Sequence, residues 1–206
     1  MLIPLNHIVS KYGKPRGIIH IGAHLMEERE DYLSLGLDNT IWIEANENKY
    51  KKICELVKNT KEKAFSCVVS DEDDKQVNFH VTNNGQSSSI LELEKHLVHH
   101  PQVHVVDTFK MKTTQMYTLI KSNNINLESY NFINLDIQGA ELLALKGFCD
   151  LLHKFNFIYT EVNTNHIYKD CALIKEIDDY LLSFGFERKM TKMTQYEWGD
   201  ALYLKK

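Results

Sequence analysis

Phe132-Ile-Asn-Leu-Asp-Ile-Gln-Gly-Ala-Glu-Leu-Leu-Ala-Leu-Lys-Gly147 changes its periodicity halfway along. Phe132, Ile133 and Leu135 form a short apolar run of strand character. Leu142, Leu145 and Phe148 then recur at helical spacing, with Leu143 and Leu152 widening that face. Gln138 and Gly139 turn one element into the other. Asp136 stands at the carboxyl tip of the strand, the edge at which open α/β sheets bind their ligands. The plainer alternative is that Asp136 only caps the helix that follows.

The same grammar recurs on both sides. Gly17 to Ile21 reads as a strand running into Gly22-Ala23-His24, then a helix over Leu25 to Leu33 closed by Gly36. Small residues at a strand-to-helix turn let a ligand approach the backbone. The GxGxxG pattern is not met, because Met26 stands where a later glycine would be. Thr40 to Ile43 is a second strand ending in Glu44, 22 residues after Gly22. A carboxylate at that spacing suits a ribose diol; otherwise it is a solvated strand end. Asn46 caps a helix burying Tyr50, Ile53, Cys54 and Val57. Ala64 to Val69 is a third strand, followed by an acidic turn. There Ser70 and Asp71 are either adenine contacts or part of a wet loop. Phe157 to Thr160 repeats the pattern, with Glu161 at its tip.

Between Gln76 and Met116 the rhythm breaks. Val77, Phe79 and Val81 alternate with polar residues, a strand with one wet face. Ser87, Ser88 and Ser89 are turn formers or hydroxyl donors to a polar substrate. His96, His99, His100 and His104 imitate a metal site, but no cysteine or carboxylate completes a ligand shell there. Val103 to Phe109 suggests a strand, and Lys110 to Ile120 a helix. Near the end, Ile174, Ile177, Leu181 and Phe184 mark an amphipathic helix. Phe186 to Met193 and Ala201 to Leu204 read as a hairpin turning at Trp198-Gly199-Asp200. Residues 1–16 read as a lead-in.

The chain has 206 residues, 43% hydrophobic and 25% charged, enough for one substantial domain over 1–206. A net charge of −4 exerts no general pull on nucleic acid or anionic membranes. No apolar run approaches ~20 residues, the length of a membrane span. The start lacks the basic and apolar regions of a signal peptide. Cys54, Cys67, Cys149 and Cys171 form no CxxC pair and suit a reducing, cytoplasmic setting.

Ile19-His-Ile-Gly-Ala-His24, Trp42-Ile-Glu-Ala-Asn46, Ser87-Ser-Ser-Ile-Leu91, Leu135 to Gly147 and the closing Trp198-Gly-Asp-Ala-Leu-Tyr203 resemble the FkbM family of S-adenosylmethionine-dependent O-methyltransferases. The resemblance covers roughly residues 17–204, and the segment 135–147 is its most specific part. It implies a Rossmann-like class I methyltransferase fold: a seven-stranded, mostly parallel sheet with helices on both faces and a C-terminal antiparallel hairpin. It implies methylation of a hydroxyl on a sugar or glycan, with glycosyltransferases as neighbours, this chain being either a whole protein or a domain of a larger glycan-assembly protein. Gly22, Ala23 and His24 would face the methionine end of the cofactor. Glu44, with Ala45, would hold the ribose, and Ser70 or Asp71 would border the adenine. Asp136, beside the transferable methyl, would be the base, with Glu161 as its catalytic companion. Gln138, Asn163, His166, Ser88 and Ser89 would shape the acceptor pocket. Asp136 and Glu161 together would also suit Mg²⁺ or Ca²⁺. The chain departs from the family at His20, where an acid is common, at Met26, and at Gln138, where Glu is common. Methylation of a polyketide or lipid hydroxyl, or a glycan-binding module without catalysis, are the competing readings.

Overall fold

The structure, a computed structural model, describes all 206 residues. Its centre is a seven-stranded sheet. Strands β1 (Ile18–Ile21), β2 (Thr40–Glu44) and β3 (Lys63–Ser66) run outward to one side. After a second, three-stranded sheet built from β4 (Val68–Val69), β5 (Gln76–Thr82) and β6 (Val105–Thr114), the chain returns. It lays β7 (Phe132–Leu135) against the other side of β1, then adds β8 (Phe157–Asn163). The hairpin of β9 (Phe186–Met193) and β10 (Trp198–Lys205) closes the sheet antiparallel, giving the order β3-β2-β1-β7-β8-β10-β9. This is the arrangement expected of a class I methyltransferase. The crevice between β1 and β7 is where the winding reverses, so their carboxyl ends form the switch point.

Helices cover both faces, which is why β1, β2, β7 and β8 are buried along their whole length instead of alternating. On one face, α5 (Met116–Ser122), α6 (Glu141–Gly147) and α7 (Ile174–Ser183) pack with Ile19, Ile21, Ile133 and Ile158. On the other face, α1 (Leu5–Tyr12), α2 (Arg29–Ser34) and α3 (Glu47–Val57) cover Ile18, Trp42, Phe132 and Tyr159. Each fully buried Ile or Phe contributes roughly 1.5–3 kcal/mol by leaving water. The edge strand β9 is mostly exposed and carries Glu187, Arg188, Lys189 and Lys192, charges that discourage further pairing. No helix is long and apolar enough to cross a membrane.

Several local expectations change. The lead-in contains α1, whose Leu5 and Ile8 are buried. The helix expected from Leu25 begins only at Arg29, because His24 and Met26 adopt left-handed backbone. The single strand 64–69 breaks at Cys67, so β3 joins β2 while β4 leaves for β6. Lys110 to Thr114 extends β6, since its pairing with β5 outweighs helical propensity there. Trp198-Gly199-Asp200 lies within β10, and the hairpin turns at Thr194–Glu197, where the Thr194 N–H donates to the Trp198 carbonyl at 2.8 Å. Asp200 is therefore paired with Glu161 on β8.

His20 points away from the crevice. It is buried between Tyr32 and Trp42, with Nδ1 3.1 Å from the Tyr32 hydroxyl, and burial lowers its pKa to about 4. The departure from the family at this position is absorbed as a neutral core histidine.

Candidate active site

The carboxyl ends of β1 and β7 meet closely. Gly22 has φ +90°, and a Cβ there would lie 1.8 Å from the Asp136 carbonyl oxygen. Only glycine permits that approach. Gly22 and Ala23 donate their N–H groups to the Ile43 carbonyl at 2.9 and 3.0 Å, and Asp136 donates its own to Ile21 at 3.0 Å. The three strand tips are thus laced into one floor.

Two cavities open over this floor. The smaller holds about 570 Å³ of open space, and Ile21, Ile43, Val68 and Phe79 are among its walls. Glu44 lies in it, nearly buried, its carboxylate accepting the N–H of His24 at 2.8 Å and of Asn46 at 2.7 Å. Burial is the main influence on Glu44 and raises its pKa, against those two hydrogen bonds and the nearby Lys49. Lys49 Nζ reaches across to the Gly85 carbonyl at 2.7 Å and ties α3 to the loop that roofs the cleft. The larger cavity holds about 1430 Å³ and is more polar, lined by Glu28, Ser87, Glu161, Tyr168, Trp198 and Asp200 among others. Gly22, His24, Gln86, Asp136 and Gln138 belong to both.

Gln138 is the hub between them. Its Nε2 donates to Asp136 Oδ1 at 2.7 Å and to Glu161 Oε2 at 3.1 Å. The Tyr168 hydroxyl donates to its Oε1 at 2.6 Å, which orients the amide, and Ser89 Oγ donates to its carbonyl at 2.8 Å. Its φ is +59°, uncommon for a residue with a side chain, and these bonds hold it there. Glu141, at the start of α6, accepts the N–H groups of Ile137 and Gly139 at 3.0 and 3.2 Å and clamps the same turn. Burial lifts its carboxyl to about 7.

Asp136 is open toward the cavities yet recessed among protein atoms. That recess raises its carboxyl to about 6, with the Gln138 amide pulling the other way and Asp200 and Glu28 adding to the rise. Glu161 is buried beside Glu141 and Asp136, and desolvation drives its pKa well upward. Burial and mutual repulsion thus push both members of the pair toward the protonated form.

Gly22, His24, Glu44, Ala45, Asp136 and Gln138 gather as expected, with Ala23 buried just behind. Ser88 and Ser89 line the smaller cleft, while Ser87 faces the larger. Besides Ala23, four of the expected residues, Ser70, Asp71, Asn163 and His166, lie outside both cavities. Ser70 is buried with its hydroxyl on Asp71 Oδ1 at 3.0 Å, and the cleft wall on that side is Cys67, Val68 and Val69 instead. Asn163 is buried below the floor, its Oδ1 without a partner. His166 turns its Nδ1 to the Cys171 carbonyl at 3.1 Å. The expectation of Mg²⁺ or Ca²⁺ on Asp136 and Glu161 does not fit. The Gln138 amide already bridges the pair, and no cluster of three or more His, Cys, Asp or Glu is placed to complete a ligand set. Tyr168 and Glu28 carry no signal in the sequence, His96 reads there only as part of the histidine cluster and Asp200 as part of a turn; segments distant in the chain bring all four to the larger cavity.

Residues 20–188 match the methyltransferase FkbM domain. The 2-O-methyltransferase NoeI of Sinorhizobium fredii is 28% identical over 145 residues, 67% of this chain. The alignment spans 57% of that relative's length. Among solved structures, a protein of the NADB-Rossmann superfamily from Streptococcus agalactiae superposes with a TM-score of 0.54 at 11% identity, covering 100% of this chain and 69% of its own. A putative tRNA (m1A22) methyltransferase from Streptococcus pneumoniae gives 0.52 at 9% identity, covering 98% and 68%. At such identities these two structures share the fold.

Proposed function

The chain belongs to the FkbM methyltransferase domain family, and from that premise we propose that it is an S-adenosylmethionine-dependent O-methyltransferase acting on a hydroxyl of a sugar or glycan. The observation that carries this reading is the pair of cavities meeting at Gly22, His24, Asp136 and Gln138. One is walled for a nucleoside, the other for a polar acceptor, and one recessed carboxylate faces both.

The smaller cleft fits the cofactor on its donor chemistry. Apolar side chains suit the faces of a base, the Glu44 carboxylate suits a vicinal diol, and bare backbone at Gly22 admits close approach. S-adenosylmethionine, when bound, supplies an electrophilic methyl group on a sulfonium. Asp136 accepts the acceptor's hydroxyl proton as the oxygen gains that methyl, and a carboxyl held near 6 is largely ionised at pH 7 and still basic enough to help. Gln138 keeps Asp136 oriented, and the burial that raises the Glu161 pKa weakens the repulsion between the two carboxyl groups.

The name of the Sinorhizobium fredii relative, a 2-O-methyltransferase, supports transfer to oxygen. The polar walls of the larger cavity favour a sugar over a polyketide or lipid hydroxyl. The net charge of −4 and the lack of Lys or Arg on that cavity's wall speak against nucleic acid. We take residues 1–206 as one cytoplasmic methyltransferase domain working beside glycosyltransferases. Thermal shift tests the cofactor: S-adenosylmethionine and S-adenosylhomocysteine should raise Tm and NAD should not. Stabilisation by NAD alone would overturn the assignment.

A further inference from the structure

We propose that the acceptor is an uncharged or cationic glycosyl unit already transferred from its activated donor, and that nucleoside diphosphate sugars are refused. This rests on the O-methyl-transfer reading and narrows its substrate. The larger cavity is lined by Glu27, Glu28, Asp136, Glu161 and Asp200, and by no Lys or Arg side chain. Its one amine, the Met1 nitrogen, is paired with Glu28 at 3.2 Å. His24 Nδ1 is engaged by Glu27 at 2.5 Å.

Phosphate recognition needs Arg, Lys or free backbone N–H groups at a helix start. The nearest such donors, at Ile137 and Gly139, are occupied by the Glu141 carboxylate. What the wall does offer suits a sugar. Trp198, partly exposed on this wall, presents aromatic surface to C–H faces. His96 is 7% exposed on this wall. Burial, with His100 and His99 beside it, lowers its pKa to about 4, so it adds no cation.

Geometry makes the charge decisive. A pyrophosphate on the anomeric carbon lies about one ring's width from any hydroxyl of the same sugar. Presenting that hydroxyl to Asp136 therefore brings the phosphates among these carboxylates, where the one amine is already paired with Glu28. The reaction that supplies this acceptor is then a glycosyl transfer that has released the nucleoside diphosphate, and methylation follows it.

The test offers the full chain, with labelled S-adenosylmethionine, a set of hexoses and deoxyhexoses in two forms: methyl glycosides and nucleoside diphosphate sugars. Label should enter one or more glycosides at least about tenfold faster than the matching nucleotide sugar. Glu27→Lys should narrow that ratio. Equal or faster methylation of the nucleotide sugars overturns the proposal and leaves O-methyl transfer standing. Silence from both series, in protein that S-adenosylmethionine stabilises, overturns the sugar acceptor and this proposal together. Absence of that stabilisation instead fails the cofactor reading.

Discussion

The two cavities share a floor but are built differently. The smaller takes its floor from the parallel sheet, at the tips of β1, β2 and β7, and is closed above by Val68, Val69, Phe79 and part of the loop between β5 and β6. The larger borrows from distant places: the loop between β5 and β6, the segment around Ile167 and Tyr168, and β10. A binding site on strand tips has its positions set by the fold, whereas one assembled from loops can be remodelled with the sheet untouched. The cofactor side is thus the fixed half and the acceptor side the adjustable half, with Asp136 belonging to both.

The sharpest way to break this division is at the shared residue. Asp136→Asn should lower kcat by about 10³-fold, within the range for a lost general base. The protein should stay folded and keep its affinity for S-adenosylhomocysteine by calorimetry. Full activity would remove Asp136 from the chemistry. The wild-type kcat should also rise as pH increases through about 6, because the base works only when ionised and its carboxyl titrates there.

A change confined to the fixed half should separate binding from chemistry. Glu44→Ala should weaken cofactor binding roughly 10- to 100-fold, the worth of hydrogen bonds to a charged group. Its kcat at saturating cofactor should move far less. Unchanged affinity would contradict the ribose assignment.

The smallest effect is expected in the adjustable half. Tyr168→Phe removes the hydroxyl that orients the Gln138 amide. Less tightly held, the amide donates more weakly to Asp136, whose pKa then rises. The acid limb of the kcat profile should move to higher pH, with a loss of roughly tenfold near pH 6 and less above pH 8. A uniform loss at every pH would mean Tyr168 only fills space.

Much of the fixed half can be read from the residues. The apolar run ending in Asp136, the small turn at Gly22 and the carboxylate at Glu44 are local patterns, and local patterns follow from strand and turn chemistry. The same reading misjudged Ser70 and Asp71, since nothing in the run Ala64 to Val69 reveals that the chain changes sheets at Cys67. It likewise placed Asp200 in a turn, where pairing to β8 puts it in a strand opposite Glu161.

The alternation of strands and helices, the switch point and the acids at its rim are written into the residues, because hydrophobic period and turn residues act over a few neighbours. That Gln138 bridges Asp136 to Glu161, that Tyr168 steers it, and that Ser88 and Ser89 face one cavity while Ser87 faces the other emerges from the packed molecule. Those contacts join residues far apart in the chain, and their geometry follows from how whole elements pack.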